Sequence, residues 1–166
     1  MTPVELKAEI ERLHAAGFAW AMACCGRNRE RAEDVLQTSY LKVLDGKARF
    51  EGRSSFRTFL FGVIRRTASE ERRRAALGAL ILGREGHAPA PPVRQGESVS
   101  VERLALRSAV ERLPRRQREV LHLVFAMGMT LQEAAETLSI SAGAAATHYH
   151  RGKRRLAAVL AGGSGE

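Results

Sequence analysis

The sequence predicts an all-α protein: two small helical domains joined by a flexible linker, the C-terminal one with a helix-turn-helix. Three observations lead there. Apolar residues recur at three- and four-residue steps between turn signals, and several of these stretches open on a capping pattern or a proline. Residues 83–98, GREGHAPAPPVRQGES, hold three of the five prolines and no apolar stripe. No strand alternation, internal repeat or glycine-rich phosphate loop occurs anywhere.

Thr2-Pro3-Val4-Glu5 combines a capping box with proline at the first helical position, so a helix starts there. The stripe Leu6, Ile10, Leu13, Gly17, Ala21 and Cys24, with Trp20 beside it, predicts one long helix ending near Gly26. Asn28 caps a second, with Ala32, Val35, Leu36, Ser39, Val43 and Leu44 inward and Glu33, Asp34, Gln37, Thr38 and Lys42 outward. Residues 47–53 lack helical period and read as a loop anchored by Phe50. Ser54 or Ser55 restarts a helix whose core stripe is Phe56, Phe59, Leu60, Val63, Ile64 and Thr67. Its other residues include Arg57, Phe61, Arg65, Arg66 and the run at 72–74, an aromatic among arginines, which suits a single-stranded nucleic acid. The plainer alternative is that Phe61 is core and the arginines are solvated. Residues 75–82, AALGALIL, are too short to span a membrane and are expected to extend this helix and pack.

Beyond the linker, Ser98 or Ser100 caps a helix through Arg112 with Val101, Leu104, Ala105 and Ala109 inward. Pro114 opens the next, placing Gln117, Val120, Leu121, Val124 and Phe125 in the core, and Gly128 ends it. Thr130 with Glu133 forms a second capping box, and Leu131, Ala134, Ala135 and Leu138 follow at helical spacing. Residues 139–141 make a turn, and Ser141 caps a final helix that packs through Ala145, Tyr149, Gly152, Leu156 and Leu160. Its opposite face carries Ala144, Ala146, Thr147, His148, Arg151 and Arg154: small residues first, then charge, as a helix entering a DNA groove requires.

Composition narrows the function. The formal net charge is +9, shared between the halves: 15 Lys/Arg against 10 Asp/Glu over residues 1–82, and 12 against 8 over residues 83–166. Such surfaces suit nucleic acid, acidic proteins or anionic membranes. Cys24 and Cys25 point about 100° apart on a helix, which disfavours a bridge, and they read as small apolar residues of a cytoplasmic protein. The acidic, proline-started N-terminus does not resemble a signal peptide, and no apolar run approaches a membrane span. No carboxylate pair, Ser/His/Asp set or Cys/His set suggests catalysis, a metal or a cofactor, so the chain reads as no enzyme.

Taken in order, these motifs resemble bacterial RNA polymerase sigma factors of the two-domain, extracytoplasmic-function type. Residues 32–38 with Leu41, Lys42 and Val43 are similar to that family's polymerase-binding helix. Phe50, residues 54–61 and the arginines at 72–74 are similar to its strand-opening segment, although Phe59 and Arg66 replace a usual tryptophan and a common asparagine. Leu113-Pro114, residues 117–121, Thr130, residues 133–135, Leu138, Ser141 and residues 151–156 are similar to its fourth conserved region, where Ala145, Ala146 and His148 depart from the frequent Val, Lys and Arg.

The resemblance implies an alternative sigma factor that directs core RNA polymerase to specific promoters and opens them. It implies an N-terminal domain at 1–82 for polymerase and the minus-ten element, a linker at 83–99, and a C-terminal domain at 100–166 for the minus-thirty-five element. Glu33, Asp34, Gln37, Thr38 and Leu41 would meet polymerase. Phe50, Ser54, Ser55, Phe61, Arg65, Arg66 and Arg73 would meet melted minus-ten DNA, and the outer face of the last helix the duplex upstream. The expected partners are core polymerase, promoter DNA and an anti-sigma factor. A sigma-like decoy that binds an anti-sigma factor without reading DNA, and a helix-turn-helix repressor, are the alternatives.

Overall fold

A computed structural model describes residues 1–83 and 100–162, which are helical with no strand among them. The chain forms two compact units dividing between Pro91 and Pro92. That division, like residues 84–99 of the expected linker, lies outside the described residues.

In the first unit α1 (Pro3–Arg12) opens on the expected capping box: Thr2 Oγ1 accepts from the Glu5 N–H at 3.2 Å, and Glu5 Oε2 accepts from the Thr2 N–H at 2.7 Å. The single long helix expected here is broken, because α2 (His14–Cys24) begins after Leu13, which adopts φ −92°, ψ 1°. A seven-residue stripe drifts by about 20° per heptad round a straight helix. The relaxed turn at Leu13 keeps Ile10 and Leu13 above it, and Trp20 and Ala21 below it, all buried. In α3 (Arg29–Leu44), Asn28 Oδ1 accepts from the Arg31 N–H, and the predicted stripe is buried as far as Val43. Leu44, expected inside, is exposed because it lies about 100° round the helix from Val43.

Ser55 caps α4 (Phe56–Ile81), which packs against both α2 and α3. Two neighbours bury more than one face of its first half, so Phe61 joins Leu60, Val63 and Ile64 in the core. Phe61 lies nearly parallel to Trp20, centroids 6.3 Å apart, and its carbonyl accepts from Trp20 Nε1 at 3.0 Å. At 26 residues α4 is ten longer than α3. Residues 75–82 extend the helix as expected but do not pack: among the described residues Leu77, Leu80, Ile81 and Leu82 are 59–80% exposed.

In the second unit Ser100 caps α5 (Val101–Glu111). Of its expected inward residues only Ala109 is buried; Val101, Leu104 and Ala105 are exposed, since the first turns project past the packing with α8. After Pro114, α6 (Arg115–Leu121) passes into a π-helical segment, His122–Ala126. The wider turn shifts the apolar register by one residue, so Leu123 is fully buried while Val124 is half-buried and Phe125 exposed.

The expected box then starts α7 (Leu131–Leu138), with Thr130 Oγ1 accepting from the Glu133 N–H and Glu133 Oε2 from the Thr130 N–H. Ser139 makes the turn in the left-handed region, and Ser141 Oγ accepts from the Ala144 N–H to begin α8 (Ala142–Gly162). α8 crosses α6 at Gly152, where a Cβ would stand 2.9 Å from Leu121 Cδ1 and 3.3 Å from Gln117 Cβ. A side chain there would force Leu121 to shift.

Candidate functional site

Three surfaces hold the singled-out residues, two on the first unit and one on the second. The first is the outer face of α3. Burial of Val35, Leu36 and Val43 turns Glu33, Asp34, Gln37 and Leu41 to solvent, with Thr38 half-buried between them. They form one patch because their spacings are three, four and seven residues. Glu33 is already paired with Arg29 Nε at 2.9 Å. Beside the patch lies a pocket of about 320 Å³ lined by His14, Phe18, Arg29, Glu33, Leu36, Gln37 and Tyr40. Arg29 sits 5.6 Å from the Phe18 ring centroid, and His14 Nδ1 meets the Tyr40 hydroxyl at 3.1 Å. Burial pushes the Tyr40 hydroxyl up to about 12, so it stays protonated. Sequence reading missed Phe18, His14 and Tyr40 here, because only the packing of α2 on α3 brings them beside Glu33.

The second surface is the loop before α4 and the start of that helix. Phe50 is half-buried and anchors the loop, its ring edge-on to Phe56 at 5.4 Å and 5.4 Å from Phe59. Ser54 is half-buried; Ser55 is exposed but occupied, its Oγ accepting from the Thr58 N–H at 3.1 Å. Arg66 and Arg73 are exposed and Arg65 half-buried. Phe61 corrects the expectation: with no exposed surface it offers no face to a base, and its ring belongs to the core with Trp20.

A polar pocket of about 380 Å³ opens between the loop and α4, lined by Lys42, Lys47, Ala48, Val63, Arg66, Thr67 and Glu70. Lys42 holds its wall together, donating to Thr67 Oγ1 at 3.1 Å and pairing with Glu70. This pocket escaped the sequence reading because α3, the loop and α4 each supply part of it.

On the second unit, α8 presents Thr147, Arg151 and Arg154 fully outward, with Ala144 and Ala146 half-buried at the flanks. Thr147 Oγ1 donates back to the Gly143 carbonyl at 3.0 Å, which leaves its lone pairs and methyl facing out. Gly143 itself is exposed, with open space where a side chain would stand. His148, expected on this face, is half-buried with Nδ1 enclosed, because it lies three residues after Ala145 and four before Gly152, both on the packing side. His150 is exposed instead, three residues after Thr147 and four before Arg154; the same spacing rule could have found it. Phe125 stacks on Tyr149 at 5.8 Å with Lys153 Nζ 4.9 Å from the Tyr149 centroid, which fixes the helix's flank.

Among the described residues no group of three or more His, Cys, Asp or Glu side chains is placed to hold a metal. Cys24 and Cys25 are half-buried thiols, and burial pushes Cys25 up to about 11, away from a reactive thiolate.

Comparison with known proteins gives the same ordering of parts. Residues 10–77 match the family described as Sigma-70 region 2, and residues 103–156 the one described as Sigma-70, region 4. The ECF RNA polymerase sigma factor EcfG of Rhodopseudomonas palustris (strain TIE-1) is 30% identical over 146 residues, covering 86% of this chain and 77% of that protein. The ECF RNA polymerase sigma factor SigX of Bacillus subtilis (strain 168) is 30% identical over 141 residues, 78% of this chain and 71% of SigX. RNA polymerase sigma factor CarQ of Myxococcus xanthus is 28% identical, covering 89% and 84%.

Among solved structures, the sigma factor RpoE in complex with the anti-sigma factor NepR from Bartonella quintana aligns with a TM-score of 0.77 at 23% identity, covering 94% of this chain and 96% of that one. CnrH in complex with the cytosolic domain of CnrY aligns at 0.64 and 22% identity, covering 96% and 89%. At these identities the two structures establish likeness of fold.

Proposed function

Because the chain belongs to the sigma-70 family, among the extracytoplasmic-function sigma factors, we propose a division of labour between its two units that assigns each surface a partner. The protein is an alternative sigma factor that directs core RNA polymerase to promoters. In this reading residues 1–82 bind polymerase and open the minus-ten element, residues 83–99 link, and residues 100–166 dock on the minus-thirty-five element. It does no chemistry of its own and works in the cytoplasm, under an anti-sigma factor.

The observation that carries this reading is that one small unit bears two unlike faces, the acidic and amide patch on α3 and the basic-rimmed pocket beside α4. Asp34, Gln37, Thr38 and Leu41 take polymerase, with Glu33 and the neighbouring pocket at the rim. Phe50, Ser54 and Ser55 shape the loop, while Arg65, Arg66 and Arg73 hold phosphates of the opened strand, and the pocket beside Arg66 receives an unstacked base. On α8, Arg151 and Arg154 hold duplex phosphates. Thr147 reads base edges through an acceptor oxygen and a methyl group, Ala144, Ala146 and Gly143 admit the groove wall, and His150 takes the place first given to His148.

Transcription with purified core polymerase and a library of promoter fragments tests the reading. The expected result is initiation at discrete sites that share two spaced elements. Initiation no better than with core enzyme alone would contradict it, and anti-sigma binding without initiation would make the chain a decoy.

A further inference from the structure

Residues 75–82, AALGALIL, contain no polar side chain, yet all eight are exposed or half-buried. Leu77, Leu80 and Ile81 share one face of α4 by their three- and four-residue spacing, and Leu82 lies on another, 74% exposed. A single protein helix laid on Leu77, Leu80 and Ile81 would leave Leu82 uncovered. A fluid apolar boundary covers every side of such a segment at once.

Charge adds a second constraint. Residues 65–74 hold five arginines against two glutamates, and Glu70 is already paired with Lys42. Arg73 and Arg74 are exposed and fall one turn before Leu77. From Arg73 to Ile81 the helix rises about 12 Å, close to the separation between lipid phosphates and the upper acyl region, where interfacial helices settle about 5–10 Å deep.

We propose that the end of α4 inserts obliquely into the surface of an anionic bilayer, with Leu77, Leu80, Ile81 and Leu82 at the acyl boundary and Arg73 and Arg74 on lipid phosphates. The contact is interfacial; no described helix is long and apolar enough to cross a membrane. Arg73 cannot hold a lipid phosphate and a DNA phosphate together, so membrane capture and promoter opening compete.

Co-sedimentation of the purified full chain with vesicles tests this, using phosphatidylcholine alone or with about 30% phosphatidylglycerol. The expected result is partitioning at least about tenfold stronger onto the anionic vesicles. Leu80→Glu with Ile81→Glu should reduce it to the neutral-vesicle level with the circular dichroism unchanged, because both side chains already face solvent. Ala157→Glu with Ala158→Glu, the same charge change at exposed positions of α8, should alter it by less than about threefold. Absence of wild-type partitioning, or an equal loss in both double variants, overturns the proposal. So does a self-association seen in gel filtration that the Leu80/Ile81 variant abolishes while vesicles go unbound, which would make the segment a protein contact.

Discussion

In the first unit α4, the helix that carries Arg65, Arg66 and Arg73, is fixed by bulk: Trp20 and Phe61 are both fully buried and stacked, and the indole N–H is tied to the backbone of α4. In the second, α8 seats on its neighbours where side chains are small. Among the described residues of that unit the largest fully buried side chains are Leu123 and Leu138, Ala134 and Ala145 are buried, and Gly152 brings α8 onto Leu121. The contrast teaches that the two units fail in opposite ways: one when atoms are removed, the other when they are added. It also separates stability from recognition, because neither Phe61 nor Gly152 has a surface to offer a partner.

The largest effect should come from Phe61→Ala, a ring-sized cavity expected to cost about 3–5 kcal/mol. Denaturant titration should show the first unit unfolding early while a second, unaltered helical transition remains, and a pre-melted promoter should not rescue activity. Normal stability with rescue on the bubble would return Phe61 to base stacking.

Adding a single methyl should be the next most damaging change. Gly152→Ala forces overpacking worth about 1–3 kcal/mol, partly offset by the roughly 0.5–1 kcal/mol that alanine gains over glycine inside a helix. Repeating it in a Leu121→Ala background should shrink the penalty, which a double-mutant cycle on melting curves would measure. An unchanged penalty would remove Leu121 from the account.

Thr130→Ala should cost about 1 kcal/mol, since it releases the cap at the first helix of the helix-turn-helix but leaves the core intact. Its effect should be confined to the second unit's melting transition.

Smallest in stability, and separable from all of these, is Arg154→Ala. Promoter binding should weaken about equally across upstream sequences, and the slope of log affinity against log salt should flatten by roughly one counterion. A sequence-selective loss would instead make Arg154 a reading residue.

Much of this was legible in the sequence wherever the signal is local. The capping boxes at Thr2 and Thr130 lie within four residues each, and both form as read. The α3 stripe through Val35, Leu36 and Val43 needed only its own period. What escaped depends on neighbours. Phe61 is buried because α4 has helices on two sides, and Phe125 emerges because the π-helical turn that buries Leu123 belongs to no residue in particular. The pockets beside Glu33 and Arg66 collect residues up to 28 positions apart, from Lys42 to Glu70, which no periodicity links. His148 differs for another reason: it stands at the edge of the packing stripe, where a shift of a few tens of degrees decides between surface and core.

In the proposed division of labour the outer face of α3 takes polymerase while the outer face of α8 chooses DNA. A promoter-library selection with reconstituted holoenzyme tests it most directly, comparing wild type with Asp34→Arg/Gln37→Ala and with Thr147→Ala at fixed salt. The α3 variant should lower the yield of transcripts through lost complementarity without changing which upstream sequences are enriched, and Thr147→Ala should relax preference at one or two upstream base pairs, worth on the order of 1–3 kcal/mol each. An altered upstream preference in the α3 variant, or an unchanged one in Thr147→Ala, would contradict the assignment.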